Sequence, residues 1–120
     1  MSVPSIGSEE LLRRIESGEP LVVVDALPPM SYAHSHLPGA INLPPQRVDK
    51  SVVRRLPDLD AEIVVYCANP ECLDSVETAE RLVALGYTNV RHYPGGKSEW
   101  RERAFPLERR GMPFQPDPTR

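Results

Sequence analysis

The sequence lacks several features that would each point to a particular class of protein. Its 14 basic and 17 acidic side chains give a net charge of -3, so there is no basic excess of the kind that binds nucleic acid. No apolar run approaches the ~20 residues of a membrane-spanning helix. Residues 1–4 lack the basic and apolar regions of a signal peptide. We therefore expect a cytoplasmic protein with neither nucleic acid nor a membrane as a partner.

Cysteine is also scarce, since only Cys67 and Cys72 are present. In the cytoplasm both are expected to be reduced thiols. The 120 residues contain no internal repeat, and this length suits one domain with one core. We predict a single domain over residues 1–113 and a proline-rich tail over residues 114–120.

Short apolar runs without strict polar alternation predict strands of a buried parallel sheet. They fall at residues 21–25, 41–43, 63–66 and 89–93. Helices are expected at residues 8–15, 30–36, 48–56, 75–85 and 97–103. Ser8 is expected to cap the first helix, and Asp74 to cap the fourth in a capping box with Glu77. This alternation predicts an α/β domain with a mostly parallel sheet.

The strand over residues 63–66 ends at Cys67, and a loop leads from there into the helix over residues 75–85. In open parallel sheets, ligands bind at the carboxyl ends of the strands. A helix N-terminus also favours negative charge. A thiol in this place is therefore favoured as the thiolate, which is its reactive form.

Four segments resemble the rhodanese (sulfurtransferase) family in order and spacing. They are Val24-Asp25 with Tyr32, the block from His36 to Pro44, Val65-Tyr66-Cys67, and Gly86-Tyr87 with Val90, Gly95-Gly96 and Trp100. The resemblance implies a five-stranded, mostly parallel sheet with helices on both faces. It also implies a sulfurtransferase without a cofactor or a metal, in which Cys67 is the catalytic nucleophile. Cys67 would take sulfur from a small donor, hold it as a persulfide and pass it to a thiol, cyanide or protein acceptor.

The active-site loop implied by this resemblance follows Cys67, and its N–H groups, except at proline, are expected to bind the anion. It comprises Ala68, Asn69, Pro70, Glu71, Cys72, Leu73, Asp74 and Ser75. Cys72 is either a resolving thiol or a small buried residue. Asp25 either caps the next turn or hydrogen-bonds near the loop, and His36 is expected to shape the sheet edge.

The loop departs from the family pattern in length and charge. Ser75 lies eight positions after Cys67, about two more than is usual in the family. The loop has no glycine, arginine or lysine, and carries Glu71 and Asp74 instead, so we expect it to repel a dianionic donor such as thiosulfate. Candidates for the missing basic group, among which the sequence does not choose, are Arg47, Arg54, Arg81 and Lys97.

Three other functions compete with sulfur transfer. The first is a non-catalytic rhodanese-like binding or regulatory module, and the second is a thiol redox protein that uses Cys67 and Cys72. The third, a related phosphatase, needs an arginine six residues after the cysteine, where this chain has Leu73. A zinc set of His34 and His36 with the two cysteines matches no standard structural site.

Overall fold

The computed structural model describes residues 3–109. The predicted domain boundary after residue 113 and the tail over residues 114–120 lie outside the described residues. Within that range, no helix is both long enough and apolar enough to cross a bilayer.

One parallel sheet runs through the centre, with the strand order β2-β1-β3-β4. The strands are β1 (Val22–Asp25), β2 (Ile41–Asn42), β3 (Ile63–Tyr66) and β4 (Val90–His92). The helices are α1 (Ser8–Glu16), α2 (Pro29–His34), α3 (Val52–Arg55), α4 (Asp74–Ala84) and α5 (Gly96–Glu102), with a 3₁₀ helix over Pro45–Arg47. The predicted α/β class with a parallel sheet is confirmed.

The sheet has four strands in the described part of the chain, whereas the resemblance implied five. The fifth is reduced to a single parallel bridge between Ser5 and His92. Ile6 N–H donates to His92 O at 3.0 Å, and His92 N–H donates to Pro4 O at 2.8 Å. Pro4 has no N–H to extend this ladder, and α1 begins soon afterwards at Ser8.

Two predicted N-caps and one predicted helix start are wrong. Gly7 precedes α1 and Leu73 precedes α4, so Ser8 and Asp74 are the first residues of their helices and make no capping bond. Asp74 still lies in the first turn, where a carboxylate interacts favourably with the positive end of the helix dipole. The helix expected over residues 48–56 begins only at Val52, because residues 45–47 form the 3₁₀ helix and residues 49–51 a turn.

Strand β3 is buried on both faces, which places one core on each side of the sheet. Ile63, Val65 and Cys67 belong to the core that includes Ala79 and Leu82 of α4. Val64 and Tyr66 belong to the other core, which includes residues of α1 and α5. The expected placement of helices on both faces is therefore confirmed.

Asp25 is a fully buried carboxylate at the end of β1. Its Oδ1 accepts a hydrogen bond from Leu27 N–H at 2.8 Å, and its Oδ2 accepts one from the Tyr66 hydroxyl at 2.7 Å. The Tyr66 hydroxyl in turn accepts from Leu37 N–H at 3.0 Å. Asp25 thus caps the turn after β1, as one of the two expectations had it, and ties β1 to β3. Burial raises the pKa of its carboxyl group.

The start of α5 braces the loop after β3. Lys97 N–H donates to Cys67 O at 2.9 Å, and Ser98 N–H donates to Ala68 O at 2.8 Å. Gly96 has a φ of +68°, and a Cβ on it would lie 2.7 Å from Cys67 O. Only glycine permits both this backbone conformation and this close approach.

The Gly96→Ala substitution should therefore destabilise the protein strongly. We expect the free energy of unfolding to fall by about 3 kcal/mol, the sum of left-handed strain and overpacking against backbone atoms. The matched control is Gly18→Ala, since Gly18 has a φ of +74° with nothing within 4 Å of an added Cβ. The control should lose only about 1 kcal/mol in urea unfolding. Equal losses would show that the close approach to Cys67 carries no cost.

The Asp25→Asn substitution should change how stability depends on pH. Because burial raises the pKa of Asp25 above its ordinary 3.8, the native state binds this proton more tightly than the unfolded chain does. The stability of the wild type relative to Asp25→Asn should therefore be greatest in acid and fall as pH rises through the native pKa. Urea unfolding at several pH values measures this difference. A difference that grows with pH would contradict the prediction. The control is Asp58→Asn, since Asp58 is exposed and accepts a similar turn bond from Asp60 N–H.

Candidate active site

Cys67 directly follows β3 at the carboxyl edge of the sheet, and is 2% exposed. The loop after it runs over the surface at Asn69, Pro70 and Glu71 and turns inward again at Ser75, which is buried. The remaining loop residues, Ala68, Cys72, Leu73 and Asp74, range from half-buried to exposed. The predicted strand–loop–helix arrangement is thus present.

A disulfide joins Cys67 to Cys72, with the two Cα atoms 6.4 Å apart. The Cys67 sulfur also lies 3.3 Å from the Ser75 hydroxyl oxygen and 3.4 Å from the Cys72 carbonyl oxygen. The two cysteines that the sequence singled out are therefore brought into direct contact, which is the geometry a resolving thiol requires.

Asn69 organises the tip of the loop. Its side-chain oxygen accepts a hydrogen bond from Glu71 N–H at 3.1 Å, and its carbonyl accepts one from Cys72 N–H at 3.1 Å. No N–H group of the described loop donates to the Cys67 sulfur in this disulfide form. The amides in the first turn of α4 have no partners within the helix. Anion binding by the loop therefore stays a prediction.

His92, at the end of β4, is a residue that sequence reasoning missed. Its Nε2 lies 2.8 Å from the Ser75 hydroxyl oxygen, which in turn contacts the Cys67 sulfur. In the parallel register Val65 pairs with His92, so His92 shares the sheet face of Val65 and Cys67. Burial lowers the pKa of His92 below 6.5, and the imidazole is therefore neutral at pH 7.

The four basic side chains considered for the site lie in different places. The Lys97 ammonium is buried and donates to the carbonyl oxygens of Ser31 at 3.0 Å and Ser35 at 2.7 Å. The Arg81 guanidinium donates to Pro45 O at 2.9 Å and to Glu77 at 2.6 Å. Arg54 is exposed on α3.

Arg47 alone among these four lines a cleft of about 220 Å³ at the ends of β1 and β2. Asp74 of the active-site loop lines the same cleft. A role for Arg47 in meeting a donor at this edge stays a prediction.

His36 lies outside the named strands and pairs only in an isolated bridge, so its expected role in shaping the sheet edge stays a prediction. Its Nδ1 donates to Tyr32 O at 2.7 Å, and the two rings stack with centroids 4.0 Å apart. Its backbone pairs with Glu108. Across residues 3–109, no group of three or more histidine, cysteine or acidic residues is arranged to hold a metal ion.

The comparisons with known proteins agree with this architecture. A family model described as a rhodanese-like domain matches residues 8–103. The crystal structure of the BH2092 protein from Bacillus halodurans superposes with a TM-score of 0.83 at 27% identity. This match covers 88% of this chain and 77% of that one.

Two curated relatives have different names. The chain is 35% identical over 106 residues to the HTH-type transcriptional regulator Rv0324 of Mycobacterium tuberculosis. This match covers 87% of the chain but only 44% of the regulator's length. The chain is also 37% identical over 83 residues to the thiosulfate sulfurtransferase GlpE of Pseudomonas entomophila. That match covers 69% of this chain and 72% of GlpE. A family model that matches most of the chain and relatives above 30% identity lead to one conclusion: the chain belongs to the rhodanese-like domain family.

Proposed function

We propose that the protein is a sulfurtransferase that carries a sulfane sulfur as a persulfide on Cys67. The observation that carries the proposal is the position of the Cys67 sulfur. It lies between the end of β3 and the start of α4, 3.3 Å from the Ser75 hydroxyl. The family relatives named thiosulfate sulfurtransferase support the same chemistry.

The reaction starts from the reduced protein. The Cys67 thiolate attacks the transferable sulfur of the donor, and the bond from that sulfur to the rest of the donor breaks. Thiosulfate and glutathione persulfide would lose an S–S bond and leave as sulfite and glutathione thiolate, whereas 3-mercaptopyruvate would lose its C–S bond and leave as the enolate of pyruvate. An acceptor thiolate then attacks the terminal sulfur of the persulfide and leaves as a persulfide itself, which regenerates the Cys67 thiolate.

Cys72 is proposed as a resolving thiol. Its thiolate attacks the inner sulfur of the Cys67 persulfide, forms the Cys67–Cys72 disulfide and expels the outer sulfur as hydrosulfide. The disulfide shows that the loop lets the two sulfurs meet. A thiol reductant must then return the protein to its starting state.

Mass spectrometry of the protein after incubation with a donor tests these roles. The reduced protein, freed of reductant, is mixed with thiosulfate, 3-mercaptopyruvate or glutathione persulfide. Cys72→Ala should gain one sulfur atom and keep it, because nothing resolves the persulfide. The wild type should progress to a loss of two hydrogen atoms as hydrosulfide is released.

Cys67→Ala is the control for the site of addition and should gain no sulfur. A sulfur adduct in Cys67→Ala, or the absence of an adduct in Cys72→Ala with all three donors, would contradict the proposed function. A stable adduct in the wild type would contradict only the resolving role of Cys72.

The charge of the loop is expected to decide which donor works. Glu71 and Asp74 repel a dianion, and the tip of the loop supplies no cation to offset them. Arg47 lines the same cleft as Asp74, so Glu71 is the loop charge that we expect to be uncompensated. A persulfide donor with a single negative charge is therefore favoured over thiosulfate.

The Glu71→Gln substitution should raise kcat/KM for thiosulfate about twofold to threefold, because it removes one exposed negative charge near the donor. For cysteine persulfide, whose ammonium offsets its carboxylate, the gain should be smaller. The matched control is Glu80→Gln on the exposed side of α4, and it should change neither rate. An equal gain from the control would show that the effect is not local to the loop.

A redox or regulatory module is the second candidate function. The Cys67–Cys72 disulfide favours a redox module, and the likeness to the mycobacterial transcriptional regulator favours a regulatory one. The mass assay separates them. A reversible loss of two hydrogen atoms under mild oxidant, with no sulfur adduct from any donor, supports the redox module. If the mass of the protein changes neither with a sulfur donor nor with a mild oxidant, the result supports a binding module.

A further inference from the structure

Ser75 stands between the reactive sulfur and an imidazole that the mechanism above does not use. Its side chain is 1% exposed, so bulk water does not satisfy the hydroxyl group. The Cys67 sulfur lies 3.3 Å from the hydroxyl oxygen on one side, and His92 Nε2 lies 2.8 Å from it on the other. The three groups form a continuous chain from β3 through α4 to β4.

In the thiolate form of Cys67, one arrangement of hydrogens makes both of these contacts hydrogen bonds. A thiolate carries no hydrogen, so a hydrogen bond between it and Ser75 uses the hydrogen of the Ser75 hydroxyl. The hydroxyl oxygen has then used its one donor and acts as the acceptor toward His92. His92 therefore carries its hydrogen on Nε2, and each donor in the chain points toward the Cys67 sulfur.

Three of the eight loop residues from Ala68 to Ser75 offer no free N–H to an anion at this place. Pro70 has no N–H, and the amides of Glu71 and Cys72 are bonded to Asn69. No arginine or lysine lies between Cys67 and Ser75. A hydroxyl group held in the donating orientation compensates for this shortage, because a hydrogen bond to an anion is stronger than one to a neutral sulfur.

We propose that His92 is a positioning residue, whose Nε2–H holds the Ser75 hydroxyl so that its hydrogen points at the Cys67 thiolate and at the persulfide that replaces it. The effect on the thiolate stands by itself, and the effect on the persulfide rests on the proposed sulfurtransferase function. The imidazole is well placed for this, because the backbone of His92 is fixed on both sides. It hydrogen-bonds to Pro4 and Ile6 on one side and pairs with β3 on the other.

Alkylation by iodoacetamide tests the proposal without any sulfur donor. The reduced Cys72→Ala protein serves as the background, so that Cys67 is the single thiol. At a pH where the thiol is only partly ionised, His92→Leu should slow alkylation about tenfold, the value expected for one lost hydrogen bond to a charged group. Ser75→Ala should slow it to a similar extent.

Two further variants separate positioning from packing. His92→Gln places an N–H near the position of Nε2 and should restore most of the rate, which a merely structural role would not predict. In the double variant Ser75→Ala/His92→Leu, the rate should be no lower than with Ser75→Ala alone, because both act through one hydroxyl. Urea unfolding reports whether each variant folds. If His92→Leu does not fold, the proposal is tested by comparing the alkylation rate of His92→Gln with that of Ser75→Ala.

An unchanged rate in His92→Leu, or losses that multiply in the double variant, would overturn the proposal. So would a rate in His92→Gln as low as in Ser75→Ala. Failure of the proposed function looks different, since the alkylation rates would follow the pattern above while no donor added sulfur to Cys67.

Discussion

The contact between the start of α5 and the chain after β3 is the constraint on which the rest of the candidate site depends. Two N–H groups, those of Lys97 and Ser98, bind the carbonyl oxygens of Cys67 and Ala68. The approach is so close that Gly96 has no room for a Cβ. Because Cys67 is fixed through its own carbonyl group, its sulfur has a defined position even though the loop beyond it is exposed.

Lys97 does not supply the cation that the loop lacks. Its ammonium group is buried and bound to two carbonyl oxygens near α2. Burial lowers the pKa of Lys97, while the buried carboxylate of Asp25 acts in the opposite direction. The charge of Lys97 is thus committed to holding α2 and α5 together. We therefore expect an anion on Cys67 to be stabilised by dipoles, namely the first turn of α4 and the Ser75 hydroxyl.

The parts of this structure that follow from local pattern could be predicted from the sequence. The apolar run of β3 and its end at Cys67 are examples, since burial of both faces leaves a continuous signal. The predicted N-caps Ser8 and Asp74 were off by one residue, because serine and aspartate are common both at the N-cap and in the first turn of a helix. His92 was missed because its partner Ser75 is brought to it by the pairing of β4 with β3, and no local pattern records which strands pair.

The disulfide and the proposed persulfide chemistry involve the same sulfur. The residues around that sulfur differ in whether they belong to the loop or to a helix or strand of the core. Cys72 belongs to the loop, whereas Ser75 belongs to α4 and His92 to β4. Reduction of the disulfide frees the loop from Cys67 but leaves the helix and the strand packed on the core. We therefore expect the Ser75 hydroxyl to meet the sulfur in both redox states. It follows that oxidation would block Cys67 by occupying it with Cys72, and that reduction would return a thiolate to a donor already in place.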